Sequence, residues 1–284
     1  MTAPSPEQAR PDAAPVCARH SDRVAYVRCQ RCERPACPEC QRPAPVGIHC
    51  VDCVREASRT APTVRTAFGA PVRAGRPAVT LTLLGLVLGS FLLQLTVPAW
   101  QDALIFSPAI GEIEPWRYLT TAFLHAPGNI LHLLFNSYLL WMLGTMLEQA
   151  FGRWRLLAIF LLSAVGGTVM AMLLAEPFSD AWYTGVIGAS GGVFGMAGAM
   201  LVALKRLRRD PRQIIVFIVL NAVLGFVIPG ISWQGHLGGL VVGIALGAAY
   251  AYAPRTRRTA VGIGATVGIA VLLLVVTVAK YALA

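Results

Sequence analysis

Four polar side chains with the chemistry of acyl transfer interrupt the apolar runs of this 284-residue chain. They are Ser190 in "IGASGGVFG" (187–195), His236 in "GHLGG" (235–239), and His132 and Asn136 in "HLLFN" (132–136). A serine can act as a nucleophile, a histidine as its general base, and amide or imidazole N–H groups as donors to an oxyanion. These residue types therefore predict a hydrolytic site, provided that the fold brings them together.

The place of each polar residue along its apolar run indicates its depth in a membrane. At a helical rise of about 1.5 Å per residue, the distance to the polar end of the run follows from a residue count. The distances are about 22 Å for Ser190 from Lys205, about 27 Å for His236 from Pro254, and about 24 Å and 18 Å for His132 and Asn136 from Glu148. In a hydrocarbon core of about 30 Å, all four groups share one level near one face. Polar groups at such depth face a bundle interior and mark a functional site.

Each of these residues also has a purely structural interpretation. Ser190, between two glycines, can be a small residue that permits close helix contact. His236 can form a hydrogen bond between helices, and His132 and Asn136, four residues apart on one helical face, can do the same. Their convergence on one level favours the chemical interpretation.

The apolar runs that position these residues are those of a multi-pass membrane protein. Hydrophobic residues make up 56% of the chain and charged residues 13%, and the mean hydropathy is +0.61. Seven runs predict seven transmembrane helices, over residues 78–97, 130–147, 156–175, 187–204, 214–228, 235–252 and 260–279. Several are shorter than the roughly 20 residues of an isolated span, so we expect the others to shield them from lipid.

Arginine-rich segments follow the second, fourth and sixth runs and set the expected orientation. They are "FGRWR" (151–155), "KRLRRDPR" (205–212) and "PRTRR" (254–258). The positive-inside rule places these loops and the N-terminus in the cytoplasm, and the C-terminus outside. The polar, Pro-rich N-terminus predicts no removable signal peptide. The net charge of +10 then reflects topology and attraction to the lipid bilayer, and without interleaved aromatic residues we expect no nucleic-acid binding.

The ordered set of motifs resembles that of the rhomboid intramembrane serine proteases. The resemblance covers residues 77–252 and is carried by "GASG" (188–191), "HLLFN", "GHLGG", and Trp116 and Arg117 after the first run. It implies an all-α polytopic membrane protein. Its parts would be a six-helix rhomboid-like core over 78–252 and an additional transmembrane helix over 260–280.

The resemblance also implies a role for each matching residue. Ser190 would be the nucleophile and His236 the general base of a dyad, with the oxyanion held by Asn136, His132 and the Ser190 backbone N–H. The only acid near a span, Glu148, lies at the far end of its run, where Arg153 or Arg155 would pair with it.

Supporting residues complete the implied site: Gly188, Gly191, Phe194, Trp116 and Arg117. Many relatives carry a tyrosine where this chain has Phe194, which keeps a stacking surface for the base but lacks the hydroxyl. Trp116 and Arg117 would lie in an interfacial loop that beds the enzyme in the outer leaflet, as tryptophan does at membrane interfaces.

A separate group of metal-ligand residues precedes the apolar runs. All seven cysteines and one histidine form four pairs, each with two intervening residues: Cys17 and His20, Cys29 and Cys32, Cys37 and Cys40, and Cys50 and Cys53. Such pairs predict two tetrahedral zinc sites, because a reducing cytoplasm keeps thiols available and an odd number of cysteines fits a disulfide framework poorly.

The order of these pairs resembles a B-box-type zinc finger, in which ligand pairs interleave. That implies one ion on Cys17, His20, Cys37 and Cys40, and another on Cys29, Cys32, Cys50 and Cys53. His49 competes with Cys50, which is preferred because it preserves the paired spacing. We expect a disordered N-terminus over 1–16, the zinc module over 17–53, and an Arg/Pro-rich linker over 54–77 that carries Arg55, Arg59, Arg65, Arg73 and Arg76.

Two classes of function fit this organisation. The first is a serine protease, without a catalytic cofactor, that cleaves the transmembrane helices of single-span membrane proteins. The second is a catalytically silent rhomboid-like scaffold that recruits a cytoplasmic protein partner through its zinc module. The presence of both Ser190 and His236 favours the enzyme, and the lack of charges at midplane disfavours a transporter. For the enzyme, we expect deletion of residues 1–70 to leave cleavage nearly unchanged.

Overall fold

The computed structural model describes residues 14–61, 64–72, 75–228 and 230–284. Most of the N-terminus expected to be disordered (1–13) and Arg73 of the expected linker lie outside the described residues. The chain divides into two compact units, Met1–Thr63 and Val64–Ala284.

The first unit is a small module built around its cysteines. Its regular elements are a 3-10 turn (Pro38–Cys40), β1 (Gln41–Pro43), β2 (Ile48–Cys50) and α1 (Val51–Thr60). The two strands pair antiparallel, and the thiol of Cys50 accepts a hydrogen bond from the N–H of Cys53, which caps α1. The module extends past the expected boundaries of 17–53, because Val16 pairs with Val24 and α1 occupies the first part of the expected linker.

Residues 64–72 of the expected linker belong to the second unit and are packed onto it. The ring of Phe68 stacks on that of Phe151 with 4.5 Å between centroids. The hydroxyl of Thr66 donates to the carbonyl oxygen of Ala150 at 2.7 Å. This part of the expected Arg/Pro-rich linker is therefore a folded part of the second unit.

The described residues of the second unit form mainly α-helices, with a 3-10 helix (Thr121–Phe123) and loops that include the bridges Arg65–Pro71 and Phe106–Val186. In chain order its helices are α2 (Ala78–Thr96), α3 (Ala99–Leu104), α4 (Pro108–Gly111), α5 (Arg117–Thr120), α6 (Ile130–Phe151), α7 (Arg153–Leu174), α8 (Asp180–Tyr183), α9 (Ser190–Arg206), α10 (Arg212–Val227), α11 (Trp233–Tyr252) and α12 (Arg258–Leu283). Each of the seven predicted apolar runs corresponds to one long helix. The short helices α3, α4 and α5 lie in the connection between α2 and α6, residues 97–129, which we term the first loop.

Five of the long helices are long and apolar enough to cross a membrane: α2, α6, α7, α11 and α12. The other two, α9 and α10, have 17 and 16 residues. Most side chains of α9 are buried by its neighbours, as expected for a short helix at the centre of a bundle. This confirms the predicted architecture. A small Cys/His module is followed in the chain by an all-α membrane unit with an extra C-terminal helix.

Two helix boundaries differ from those predicted. Helix α9 begins at Ser190 instead of residue 187, because Gly188 has a φ of +120°, which no helix accommodates. Helix α12 continues to Leu283, beyond the predicted end at residue 279. Both differences lie at the same end of the bundle.

The long helices alternate in direction, so α6, α9 and α11 all begin at one end of the unit, which we term the Ser190 end. Glycines allow the backbones of α9 and α11 to touch. A Cβ atom on Gly239 would lie 2.0 Å from the carbonyl oxygen of Gly191, and one on Gly243 would lie 2.0 Å from that of Gly195. Small residues at four-residue spacing let two helices approach closely, and this contact fixes α11 against α9 beside Ser190.

Glu148 lies at the opposite end and joins α6 to the start of α2. Its carboxylate accepts hydrogen bonds from the backbone N–H groups of Val79 and Thr80 at 3.2 and 2.9 Å. It also pairs with Arg153 at 3.4 Å. Arg155, the other expected partner, is buried and donates elsewhere. Glu148 is thus a helix-capping residue, remote from the predicted site.

Candidate active site and metal-binding module

Ser190 is the first residue of α9. The turn before it is held by Gly188, whose N–H donates to the carbonyl oxygen of Thr121 at 3.1 Å. The first N–H groups of a helix have no intrahelical partner and favour negative charge. The Ser190 hydroxyl therefore lies where an oxyanion formed beside it would be stabilised.

The side chains of His132 and Ser190 lie on either side of one small space, at Gly188. A Cβ atom on Gly188 would lie 3.1 Å from Nε2 of His132 and 3.8 Å from Oγ of Ser190. On the other side of the ring, Nδ1 of His132 accepts the N–H of Ala126 at 3.4 Å. Because Nδ1 accepts, the neutral ring carries its proton on Nε2, which can donate toward Ser190.

Asn136 lies one turn further along α6 and is buried. Its Nδ2 donates to the carbonyl oxygen of His132 at 2.9 Å. An amide nitrogen has two N–H donors, so one donor remains for another acceptor.

His236 lies in the first turn of α11, stacked on Phe194 of α9. Their ring centroids are 4.1 Å apart and their planes differ by 12°. Gly235 and Gly191 meet at the same level, since a Cβ atom on Gly191 would lie 3.5 Å from the carbonyl oxygen of Gly235. The contact places the residue before His236 beside the residue after Ser190.

No hydrogen bond joins Ser190 to His236 within the part of the chain that the structure describes. Nδ1 of His236 is buried and has no hydrogen-bond partner there. An apolar cavity of about 150 Å³ lies beside this imidazole, with Phe194, Phe226 and Trp233 among its lining residues. The imidazole of His236 is thus oriented by ring stacking, and its Nδ1 has no hydrogen bond to any described residue.

The sequence analysis missed His125, which lies beside the site. It is fully buried, and its ring centroid is 5.1 Å from that of His132. Gln94 of α2 holds its backbone, donating to its carbonyl oxygen at 2.8 Å and accepting from its N–H at 2.9 Å. A second histidine just before "HLLFN" was the only signal in the sequence.

Trp116 and Arg117 of the first loop differ in burial. Trp116 is half exposed, as an interfacial residue would be. Arg117 is buried: it pairs with Glu114 and donates to the carbonyl oxygens of Asp102 and Ile105 at 2.5 and 2.7 Å. The guanidinium of Arg117, which has several donors, thus satisfies carbonyl groups of the loop itself, and the bedding of this loop in the outer leaflet stays a prediction.

The first unit brings together two sets of four ligands, and the sets interleave. Cys17, His20, Cys37 and Cys40 form one set, and Cys29, Cys32, Cys50 and Cys53 form the other. Within each set the ligand atoms lie within 4.8 Å of one another. His49 lies outside both sets, on β2 opposite Arg42.

The spacing of these ligand atoms fits a tetrahedral ion. Bonds of about 2.3 Å to sulfur and 2.0 Å to nitrogen place two sulfurs about 3.8 Å apart, and sulfur and nitrogen about 3.6 Å apart. The sulfurs of Cys32 and Cys50 are 3.8 Å apart. Nδ1 of His20 is 3.3 Å from the sulfur of Cys37 and 3.4 Å from that of Cys40. Both sets could therefore hold a metal ion.

The thiols of one set differ in acidity. Backbone N–H groups, first that of Cys37, lower the pKa of Cys17 to about 6. Burial raises the pKa of Cys40 to about 11. Cys17 is therefore a thiolate at neutral pH, whereas Cys40 would lose its proton when a cation binds.

The sequence of this chain is similar to those of known proteins. A family model described as the Rhomboid domain matches residues 112–253. Rhomboid protease GluP of Bacillus subtilis is 35% identical over 187 residues, which cover 62% of this chain and 35% of that protein. Rhomboid protease AarA of Providencia stuartii is 28% identical over 219 residues, 66% of this chain and 77% of that protein. Rhomboid protease GlpG of Salmonella newport is 31% identical over 192 residues, 61% of this chain and 63% of that protein. The chain thus spans about a third of the length of GluP.

Proposed function

Because the chain belongs to the rhomboid family, we propose that it is an intramembrane serine protease with Ser190 as nucleophile and His236 as general base. The observation that carries the proposal is the placement of Ser190, His132 and His236 at the starts of three helices, with Gly191 and Gly235 in close contact between them. Relatives named as proteases support the class of reaction.

In this proposal, Ser190 acts as an activated nucleophile. Its Oγ attacks the carbonyl carbon of the scissile peptide bond while the imidazole of His236 accepts the hydroxyl proton. The oxyanion receives hydrogen bonds from the Ser190 N–H, from Nε2 of His132 and from the free Nδ2 proton of Asn136. His236 then donates its proton to the leaving amine, and a water molecule hydrolyses the acyl-enzyme.

The dyad closes when substrate binds. Catalytic hydrogen bonds are often long in a free enzyme and tighten in the complex. Stacking on Phe194 fixes the plane of the His236 ring, and in this proposal the Ser190 hydroxyl turns toward that ring in the complex. His236 is free to accept this bond because its buried Nδ1 has no partner among the described residues.

The substrates we propose are single-span membrane proteins. With the arginine-rich loops in the cytoplasm, the Ser190 end opens to the outside. A substrate helix must lose its backbone hydrogen bonds before cleavage, so helix-weakening residues such as Gly or Pro near its outer end favour it. The apolar cavity beside His236 would take an apolar substrate side chain.

For the first unit we propose two structural zinc ions. Tetrahedral thiolate and imidazole sets with no open position are typical of structural zinc, which stabilises small modules that have little core. Neither set contributes to the chemistry at Ser190.

The test is incubation of the purified protein with a panel of single-span substrates, comparing wild type with Ser190→Ala. We expect Ser190→Ala to abolish both cleavage and covalent labelling by a fluorophosphonate. The matched control is Ser163→Ala, because Ser163 is buried in α7 and its hydroxyl has no hydrogen-bond partner in the described residues. Cleavage by a folded Ser190→Ala variant would refute the proposal, and a wild type that neither cleaves nor reacts would favour a silent scaffold.

A further inference from the structure

The C-terminal end of α12 is attached to the first loop by one tyrosine. The hydroxyl of Tyr281 donates to the carbonyl oxygen of Pro108 at 2.8 Å. It also lies 3.0 Å from the hydroxyl of Tyr118. Tyr281 therefore contacts two parts of the first loop at once, one at the start of α4 and one in α5.

Tyr118 is a central residue of the first loop. It is buried, and its ring packs on Phe106 with 4.4 Å between centroids. Its hydroxyl donates to the sulfur of Met172 on α7 at 2.8 Å. The fit around this group is tight, since a Cβ atom on Gly111 would lie 2.7 Å from the Tyr281 hydroxyl oxygen and 2.6 Å from the Phe106 ring.

Two backbone hydrogen bonds connect this group to the segment that leads to Ser190. The N–H of Val186 donates to the carbonyl oxygen of Phe106 at 2.7 Å, and the N–H of Gly188 donates to that of Thr121 at 3.1 Å. Thr121 follows Tyr118 by three residues, and Gly188 precedes Ser190 by two. Displacement of Phe106 or Tyr118 would therefore be transmitted to the turn that begins α9.

The C-terminal half of α12 also contacts α7 and α8: Nζ of Lys280 donates to the carbonyl oxygen of Leu173 at 3.4 Å, and the ring of Tyr281 meets that of Trp182 edge-on. A cavity of about 520 Å³ separates α12 from α7 and the first loop, with Leu162, Val169, Leu273 and Val278 among its lining residues. Where side chains leave such a gap, van der Waals contact contributes little to holding two elements together. The hydrogen bond from Tyr281 to Pro108 and the contact of Tyr281 with Tyr118 therefore form a specific connection between α12 and the first loop.

We infer that Tyr281 is a positioning residue for the reaction at Ser190. It touches no reacting group; it holds Pro108 and Tyr118 in place, and through them the Val186–Gly188 segment that orients Ser190. Tyr281 lies outside residues 112–253, the part matched by the family model, so the extra helix adds this control to the common core. The inference rests on the proposed protease function.

The experiment measures turnover by Tyr281→Phe, Tyr118→Phe and the double variant, each normalised to the fraction of Ser190 that a fluorophosphonate labels. Because misplacement of a reacting group acts on the chemical step, we expect kcat to fall by about 3- to 10-fold in Tyr281→Phe, with KM changed by less than about 2-fold. The double variant should lose less than the product of the two single losses, since the Tyr118–Tyr281 contact is shared, whereas the hydrogen bonds of Tyr281 to Pro108 and of Tyr118 to Met172 are not. The matched control is Tyr183→Phe, whose hydroxyl is exposed and makes no hydrogen bond to any described residue.

Hydrogen–deuterium exchange gives a readout that does not depend on activity. In Tyr281→Phe we expect faster amide exchange over residues 104–121 and 185–190, and unchanged exchange in α2 and α6. Unchanged kcat, or unchanged exchange over 185–190, would overturn the inference while leaving the proposed function intact. If the wild type is inactive and unlabelled, the protease proposal fails and the catalytic role of Tyr281 fails with it, whatever the exchange shows.

Discussion

The imidazole of His236 lies almost parallel to the ring of Phe194, with 4.1 Å between their centroids and 12° between their planes. Phe194 in turn packs against Phe217 of α10, with 5.8 Å between ring centroids. Since Phe194 follows Ser190 by about one helical turn, α9 carries both the proposed nucleophile and the surface that orients the proposed base. Stacking needs only the ring, so the absence of a tyrosine hydroxyl here leaves the support intact.

Substitution of Phe194 tests this support. An aromatic contact contributes about 0.5–1.5 kcal/mol, so we expect Phe194→Ala to lower kcat by about 2- to 13-fold, and Phe194→Tyr to leave kcat close to that of wild type. Steady-state cleavage of one substrate measures both, and Phe178→Ala, at an exposed phenylalanine away from the site, is the control. Equal activity of the alanine and tyrosine variants would show that stacking does not orient the base.

Asn136 tests the oxyanion assignment. Loss of one donor to an oxyanion lowers kcat by about 10², so we expect Asn136→Ala to show that loss with little change in KM. Ser137→Ala is the matched control, because the Ser137 hydroxyl is the next polar group on α6 and has no partner in the described structure. A change in KM alone would show that Asn136 contributes to substrate binding and not to stabilisation of the oxyanion.

Because α9 and α11 touch through their glycines, we expect a Gly→Ala substitution in this contact to destabilise the protein far more than one elsewhere. In Gly239→Ala the new methyl group would lie 2.0 Å from the backbone of Gly191, so the helices must separate. Gly264 on α12 has open space around it. We expect thermal unfolding in detergent to show a clearly lower midpoint and loss of cleavage for Gly239→Ala, and no decrease for Gly264→Ala. Equal midpoints would mean that the two backbones are not in contact.

Metal analysis tests the two ligand sets. Elemental analysis of the purified full-length chain should give about two zinc ions per molecule, and about one in Cys29→Ser, because a set that lacks one thiolate binds zinc much more weakly. His49→Ala should keep two ions, since His49 lies outside both sets. If His49→Ala lost one zinc ion while Cys50→Ser kept both, the ligand would be His49 and not Cys50.

The parts of the structure that the sequence predicted are those governed by local rules. Apolar runs become helices because a backbone in lipid must satisfy its hydrogen bonds within its own segment. Paired cysteines predict ligand sets because spacing alone limits their geometry. The expected common level of Ser190, His132 and His236 came from residue counts along apolar runs, which is again a local rule.

The parts that were missed depend on contacts between distant segments. The burial of Arg117 follows from the carbonyl groups of Asp102 and Ile105, which no periodicity indicates. The contact between Tyr118 and Tyr281 joins residues 163 positions apart. Within the expected linker, nothing in the Arg and Pro content indicated that the ring of Phe68 stacks on that of Phe151.

The packing of residues 64–72 changes where the N-terminal region can be removed. Deletion of residues 1–70, which composition suggested would be harmless, removes Phe68 and its contacts. Arg155 is buried and its Nη1 donates to the carbonyl oxygen of Phe68 at 2.8 Å. Without that carbonyl group, a buried guanidinium loses an acceptor, which costs about 1–3 kcal/mol.

We therefore predict different outcomes for two truncations. Deletion of residues 1–63 follows the boundary between the two compact units and should leave both cleavage and the thermal midpoint of the remaining chain nearly unchanged. Deletion of residues 1–72 should lower that midpoint by roughly 5 °C, because the loss of the Arg155 acceptor adds to the loss of the Phe68 ring from Phe151. In the full-length chain, Phe68→Ala should reproduce part of this decrease, whereas Val72→Ala, at an exposed position, should not. If the shorter deletion alone abolishes cleavage by a well-folded protein, the zinc module takes part in activity and is not a separable unit.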